Sequence, residues 1–298
     1  VPERDEYMPG VPCWADLAHA DADAAAAFYE GLFGWETQNV IPPEIPAKYL
    51  IARLRGGTVA GIGTPAPDGL PAGTWCTYIR VESADEAAER AHAAGGAVLV
   101  AAKDVFDAGR SAILADPEGA AFAVWEPRAQ RGAQIVNEHG AVNFNTLATR
   151  DVERAAAFYG AIFGWELKSF GPGAEMWTLP GYGDELERDN PGLRKMTAEY
   201  GVPGFEDVVA QVRLIPEEQV AAPAGWSVTF AVDDADAAAE RAQSLGGRVI
   251  APPFDAPWVR LTVLEDPQGA EFLASHFRPP AGVGEPAGGS AVGAGGDD

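Results

Sequence analysis

One block of this chain is written twice, and a chain that repeats its own order of elements is committed to a duplicated architecture. Val11 to Glu36 (VPCWADLAHADADAAAAFYEGLFGWE) matches Ala141 to Glu166 (AVNFNTLATRDVERAAAFYGAIFGWE) 130 positions later, with AAAFY and FGWE superposing without a gap. Ala84 to Leu99 (ADEAAERAHAAGGAVL) matches Ala235 to Ile250 (ADAAAERAQSLGGRVI) at an offset of 151, and Asp116 to Ala123 (DPEGAAFA) matches Asp266 to Leu273 (DPQGAEFL) at 150. The growing offset places an insertion of about 20 residues in the second copy, where a loop has lengthened on a retained core. We assign it to Gly181 to Phe205.

Each copy itself divides into two similar halves. Trp14 to Ala18 alternates as a strand, Asp21 to Phe33 carries apolar residues at helical spacing, and GWE leads into extended chain. Cys76 to Val81 then reads as a strand, Ser83 to Ala94 as an alanine-rich helix ended by Gly95-Gly96, and short strands follow around the Asp116-Pro117-Glu118-Gly119 turn. The second copy gives strands at Asn143 to Ala148 and Ser227 to Val232, and helices at Asp151 to Phe163 and Asp234 to Leu245. The pattern predicts an α+β fold of four βαβββ modules, two per domain. The domains span 9–127 and 139–278, joined by a polar linker at 128–138. In the insert, about 181–205, one or two short helices break at Asn190-Pro191 and form either a cap over one cleft or an interdomain brace. The Pro/Gly/Ala segment 279–298 has too few large apolar residues to offset its ordering entropy and is expected to be disordered.

Composition narrows the functional classes. Of 298 residues, 47% are hydrophobic and 22% charged, values typical of folded globular chains. With 44 acidic against 21 basic residues the net charge is -23, a field that repels phosphate backbones and anionic lipid surfaces. Nucleic acid and membrane partners are therefore not expected. No apolar run approaches the ~18 residues of a bilayer span, and residues 1–10 lack a basic, then apolar, leader pattern. Cys13 and Cys76 are too few for a disulfide framework, so the expectation is a cytoplasmic protein with free thiols. No GxGxxG, P-loop or GxSxG motif follows a strand.

The duplicated order of strand, AxxFYxxxFGWE helix, GG-ended helix and DPxG turn resembles the vicinal oxygen chelate superfamily of glyoxalases, bleomycin resistance proteins and extradiol dioxygenases. The likeness runs from about Pro9 to Arg278 and is greatest to a two-domain actinobacterial branch that includes proteins of antibiotic gene clusters. The resemblance implies two tandem glyoxalase/bleomycin-resistance-like domains with open-barrel clefts. It also implies a divalent ion, in metal-dependent members, held from the first and last strands of paired modules. Carried onto this chain, those positions fall on Trp14, Cys76, Phe144, Ser227, Ala123 and Leu273. A slip of two residues gives Asp16, Tyr78, Trp125, Thr146, Thr229 and Ser275. Neither set supplies the about three good donors such an ion needs, so no metal and no cofactor is expected. His19, His92 and His139 read as solvated surface residues, while His276 lies near a cleft edge.

Alternate residues on a strand share a face, so the same positions describe the cleft lining. The expected ligand-binding residues are Trp14, Cys76, Trp125, Phe144, Thr146, Trp177, Ser227, Thr229 and His276, with Arg80 on the same face. Aromatic walls with few polar handles suit a planar, partly apolar ligand. Asp16 and Glu271 are the candidate acid-base carboxylates, because desolvation beside aromatic walls raises a carboxyl pKa, and Tyr78 is a candidate oxyanion donor. Against this, Asp16 could instead form an ion pair with Arg110 or Arg260.

The leading expectation is a metal-independent protein that binds or tailors a small, planar natural product in antibiotic biosynthesis or self-resistance. Any chemistry would be that of a lyase, isomerase or cyclase. The alternatives are a metal-dependent glyoxalase or dioxygenase, and a non-catalytic interaction protein whose clefts Trp14, Trp125 and Phe144 plug. Tandem duplication supplies the pairing that single-copy proteins reach by dimerising, so both monomer and homodimer fit.

Overall fold

The computed structural model describes residues 4–171, 173–219 and 221–278. The expectation of disorder at 279–298 falls outside them. The first half of copy one gives β1 (Pro12–Ala18), α1 (Ala22–Phe33), β2 (Glu36–Asn39), β3 (Tyr49–Leu54) and β4 (Gly57–Gly63). Its second half gives β5 (Thr74–Arg80), α2 (Ala84–Ala93), β6 (Ala97–Val105), β7 (Gly109–Ala115) and β8 (Ala121–Pro127). Copy two repeats this with β9 (Val142–Thr149), α3 (Val152–Phe163), β10 (Glu166–Ser169), β11 (Glu175–Thr178) and β12 (Val208–Leu214). It closes with β13 (Gly225–Ala231), α6 (Ala235–Ser244), β14 (Arg248–Ala256), β15 (Val259–Glu265) and β16 (Glu271–Phe277). The insert contributes α4 (Tyr182–Asp189) and α5 (Leu193–Glu199).

Each copy folds into one eight-stranded open sheet, ordered β2-β3-β4-β1-β5-β8-β7-β6 and β10-β11-β12-β9-β13-β16-β15-β14. The two modules of a domain join through the antiparallel pairs β1–β5 and β9–β13, so module pairing is internal to each domain. The helices start and stop where their sequences dictate. Asp21 and Asp151 cap α1 and α3 by accepting from Ala24 and Arg154 backbone N–H groups, and Gly34 and Gly164 end them in the left-handed conformation.

The sheets belong to single domains, but the hydrophobic cores do not. One core joins β1, β3, β4 and α1 to α6 and the Phe230 and Phe272 strands of the second domain. The other joins β5, β8 and α2 to α3 and the Trp165 region. Phe33 meets Phe230 at 5.0 Å and Tyr29 meets Phe272 at 5.4 Å, while Phe122 meets Tyr159 at 5.6 Å in the pseudo-symmetric place. Burying each such aromatic is worth roughly 2 kcal/mol, so the helix faces weld the domains together and leave the opposite, concave sheet faces for other uses. The linker is not merely polar: Ala133 and Ile135 are buried, and Ala133 N–H donates to Cys13 O at 2.8 Å.

Candidate functional site

Hydrogen bonds across the domain interface account for the residues that make the repeat recognisable. Tyr29 of the first AAAFY donates to Asp266 Oδ2 of the second DPQG turn (3.2 Å), and Trp75 Nε1 donates to the Tyr29 hydroxyl (3.0 Å). Tyr159, Asp116 and Trp226 repeat this at 3.2 and 2.9 Å. The FGWE tryptophans donate across the interface too, Trp35 Nε1 to Gly140 O (2.7 Å) and Trp165 Nε1 to Gly10 O (2.8 Å). The second glycine of each GG pair is needed because a Cβ at Gly96 would lie 2.6 Å from the Phe158 ring, and one at Gly247 3.0 Å from Phe28. These motifs are interface devices, not chemistry.

His19 belongs to this network, correcting its reading as a solvated residue. It is 2% exposed, and its Nε2 lies 2.8 Å from Asp266 Oδ2. Burial pushes the Asp266 carboxyl up, but the His19 contact and the Ala270 and Gln268 N–H groups outweigh it and hold the group below its ordinary value. Thr149 stands at the position equivalent to His19, but its hydroxyl donates to Glu118, and Asp116 stays raised by burial.

The concave face of the first sheet carries the candidate site. Register places Asp16 opposite Cys76 and beside Gly61, with Trp14 opposite Tyr78. Asp16 Oδ2 accepts two phenolic hydroxyls, Tyr78 at 2.9 Å and Tyr49 at 3.0 Å, and the Trp14 indole N–H donates onward to Tyr49 at 3.0 Å. Asp16 Oδ1 receives no hydrogen bond from the described residues. Trp125 closes the wall, its ring 6.3 Å from that of Tyr78 and its Nε1 tied to Gln130 O. Burial pushes the Asp16 carboxyl up to about 6 against the pull of the two hydroxyls. Burial, then the charge of Asp16, raises Tyr49, Tyr78 and Cys76 well above their usual ranges, so all three stay protonated at neutral pH.

Among the described residues Asp16 has no arginine partner. Arg110 is taken by Asp85 and Asp104, and Arg260 by Asp236 and Asp255. Tyr78, expected as an oxyanion donor, spends its proton on Asp16 instead. Tyr49 was not among the expected residues. It reaches Asp16 because β4 presents bare backbone beneath it: a Cβ at Gly61 would lie 2.6 Å from Tyr49 Cζ, and one at Gly63 2.8 Å from its ring. Two glycines on one strand face, 61 and 63, were the available signal that a ring lies over the strand.

The second concave face is different in kind. Phe144, Thr146, Ser227, Thr229, Leu273 and Ser275 share it, and Thr146 Oγ1 bonds Gln211 Oε1 at 3.3 Å where the first domain has Gly61. Glu271 stands exposed at the outer start of β16, opposite Glu265 and in the other domain from Asp16. Trp177 is not a wall residue: it is fully buried on the helix side, 5.7 Å from Tyr159 and 6.0 Å from Trp165, because Met176 takes the concave position. His276 alternates with Ser275 and so turns toward the helix side with Phe272 and Ala274. The insert makes contacts in two directions. Tyr182 packs under Arg4, bracing the first segment, while Tyr200 at the end of α5 meets Trp258 (5.6 Å) at the β14–β15 tip.

A divalent ion does not fit these residues. Asp16 is the acid of the first face and two hydroxyls already load one of its oxygens, while the other positions carry Trp14, a protonated Cys76 and Ala123. Among the described residues no group of three or more His, Cys, Asp or Glu side chains converges.

Comparison with known proteins agrees with this architecture. Residues 14–124 match the Glyoxalase/Bleomycin resistance protein/Dioxygenase superfamily model, and 142–274 match the Glyoxalase-like domain model. Over 276 residues the chain is 38% identical to "Putative glyoxylase CFP32" of Mycobacterium tuberculosis, covering 91% of this chain and 97% of that one. It is 34% identical over 286 residues to Anthracycline biosynthesis protein DnrV of Streptomyces peucetius, covering 91% and 95%. The chain belongs to the glyoxalase/bleomycin resistance protein/dioxygenase superfamily. Its fold is shared with the Mn(II)-bound glyoxalase of Novosphingobium aromaticivorans (TM-score 0.56, 13% identity, 90% and 83% coverage). It is shared equally with the 2,3-dioxygenase LapB of Pseudomonas sp. KL28 (0.56, 13%, 94% and 97%). No helix among the described residues is long and apolar enough to cross a membrane.

Proposed function

We propose that this protein is a metal-independent small-molecule binding and tailoring protein that holds a planar, partly apolar natural product on the concave face of its first domain. The observation that carries the reading is the Asp16 arrangement: two hydroxyls clamp Oδ2, Oδ1 is left unbonded, and aromatic walls raise the carboxyl to about 6. A carboxylate so poised accepts a proton from an acidic carbon or hydroxyl of a bound aromatic ketone and returns it elsewhere, which is lyase, isomerase or cyclase chemistry. Tyr49 and Tyr78 hold the carboxylate in place and keep it partly ionised; Trp14 and Trp125, each 8% exposed, offer stacking edges. Relatives named for anthracycline biosynthesis support a fused-ring ligand. The second face lacks an equivalent acid, since Thr146 stands where Asp16 does, so one cleft works.

The test is tryptophan-fluorescence titration with 1,8-dihydroxyanthraquinone between pH 5 and 8. Binding with a midpoint near pH 6 is expected in the wild type and no midpoint in Asp16→Asn. Absence of binding at every pH would leave the plugged-cleft reading standing instead.

A further inference from the structure

On β5, Cys76, Tyr78 and Arg80 alternate onto the concave face, while Thr77 and Ile79 turn to the interface, Thr77 bonding Asn145 of the second domain at 2.8 Å. Arg80 is half-buried and is the register partner of Trp125, yet its Nη1 is buried without a hydrogen-bond partner. In a chain of net charge -23 this is unusual. Arg110 and Arg260 each hold two carboxylates and Arg194 holds Asp184 and Glu206, whereas no carboxylate among the described residues pairs with Arg80. One titratable group that feels the Arg80 charge is Cys13. Burial raises that thiol far above its usual range despite the pull of Arg80, so it supplies no negative charge at neutral pH.

A guanidinium whose Nη1 is buried without a hydrogen-bond partner carries a desolvation cost at that nitrogen, which an anion arriving with the ligand would relieve. We infer that Arg80 is the anion subsite of the first cleft and that the ligand is a planar aromatic bearing a carboxylate at one edge. This inference rests on the proposed reading of that cleft and names its substrate class. Arg80 lies four residues from Cys76, which faces Asp16, and so roughly 13 Å along the strand at ~3.3 Å per residue. Tyr78 and Trp125 line the interval. A fused-ring acid would lie along that wall with its carboxylate on Arg80 and its reacting end toward Asp16.

The experiment compares anthraquinone-2-carboxylate with anthraquinone-2-carboxamide by fluorescence titration at pH 7.5, in wild type, Arg80→Gln and Arg80→Lys. The carboxylate is expected to bind the wild type at least about tenfold more tightly, the scale of one charge-assisted hydrogen bond. Arg80→Gln should bring the ratio to about one with carboxamide affinity unchanged, and Arg80→Lys should restore part of it. Equal affinity of the two probes for the wild type overturns the anion subsite and leaves the cleft reading intact, whereas failure of both probes overturns the two together. A second readout is thermal melting of the free protein. A half-buried cation with an unpaired buried Nη1 is not a stabilising group, so Arg80→Gln should melt no lower than wild type; a clear drop would make Arg80 a structural residue.

Discussion

His19→Ala tests the interface reading where it is most exposed to refutation. Asp266 is 1% exposed; its Oδ2 accepts from His19 at 2.8 Å and Tyr29 at 3.2 Å, and its Oδ1 from Gln268 and Ala270 N–H groups at 2.9 and 3.0 Å. Breaking a buried pair from one side costs about 3–5 kcal/mol. Tyr29 and the two backbone donors remain, so the expected loss lies at the lower end, about 3 kcal/mol. The pseudo-symmetric control is Thr149→Ala, which removes a neutral hydroxyl from Glu118 and should cost about 1–2 kcal/mol. Urea denaturation at pH 7 measures both, and a cycle with Asp266→Asn should return a coupling of about 2 kcal/mol. The pH dependence has a fixed sign. The folded Asp266 pKa lies below the usual 3.8, so the unfolded chain binds more protons in that window. The contribution is complete above the unfolded value and is lost as pH falls through the folded one. His19→Ala should flatten that acid limb. Equal costs for the two single variants, together with zero coupling, would refute the claim that a His–Asp contact locks this side of the interface.

Gly61→Ala places a methyl 2.6 Å from Tyr49 Cζ, and displacing that ring should cost about 1–3 kcal/mol. With one hydroxyl gone from Asp16, its pKa should rise above the present value of about 6, so the midpoint of the ligand titration should shift upward; an unmoved midpoint would show that Tyr49 does not tune the acid. Trp35→Phe and Trp165→Phe each delete one indole bond to a glycine carbonyl across the interface. By urea denaturation each should cost about 1–2 kcal/mol, and the two should agree closely; strongly unequal losses would contradict the pseudo-twofold account.

The fold was legible because its constraints are periodic and duplicated. The helices announce themselves through Asp21 and Asp151 caps and Gly34 and Gly164 stops, and strand alternation placed Trp14, Asp16, Cys76 and Tyr78 on one face. Less accessible were contacts between segments distant in sequence. His19 looked like a surface residue because its partner lies 247 positions away. Trp177 was misplaced by one residue, and on a strand one residue is the opposite face. Tyr49 sits on β3, between the matching blocks that end at Glu36 and resume at Ala84, so the repeat offered no guide to it. The shared cores were equally hidden, since an apolar helix face does not state which domain it will meet.

The same division explains why this sequence declares its family so readily and its chemistry so poorly. AAAFY, FGWE, GG and DPxG recur in both copies because each is answered by the other domain: Tyr29 by Asp266, Tyr159 by Asp116, Trp35 by Gly140, Trp165 by Gly10. A change in one copy must be matched across the interface, so the two copies hold each other to a common pattern. The concave faces are under no such reciprocal constraint. There Trp14 stands against Phe144, Asp16 against Thr146 and Cys76 against Ser227, and each face can acquire its own lining without loosening the interface. A pseudo-symmetric scaffold with asymmetric faces is suited to giving each cleft its own lining while the shared interface stays fixed. The residues that set this protein's proposed function are therefore to be sought among the positions where its two halves disagree.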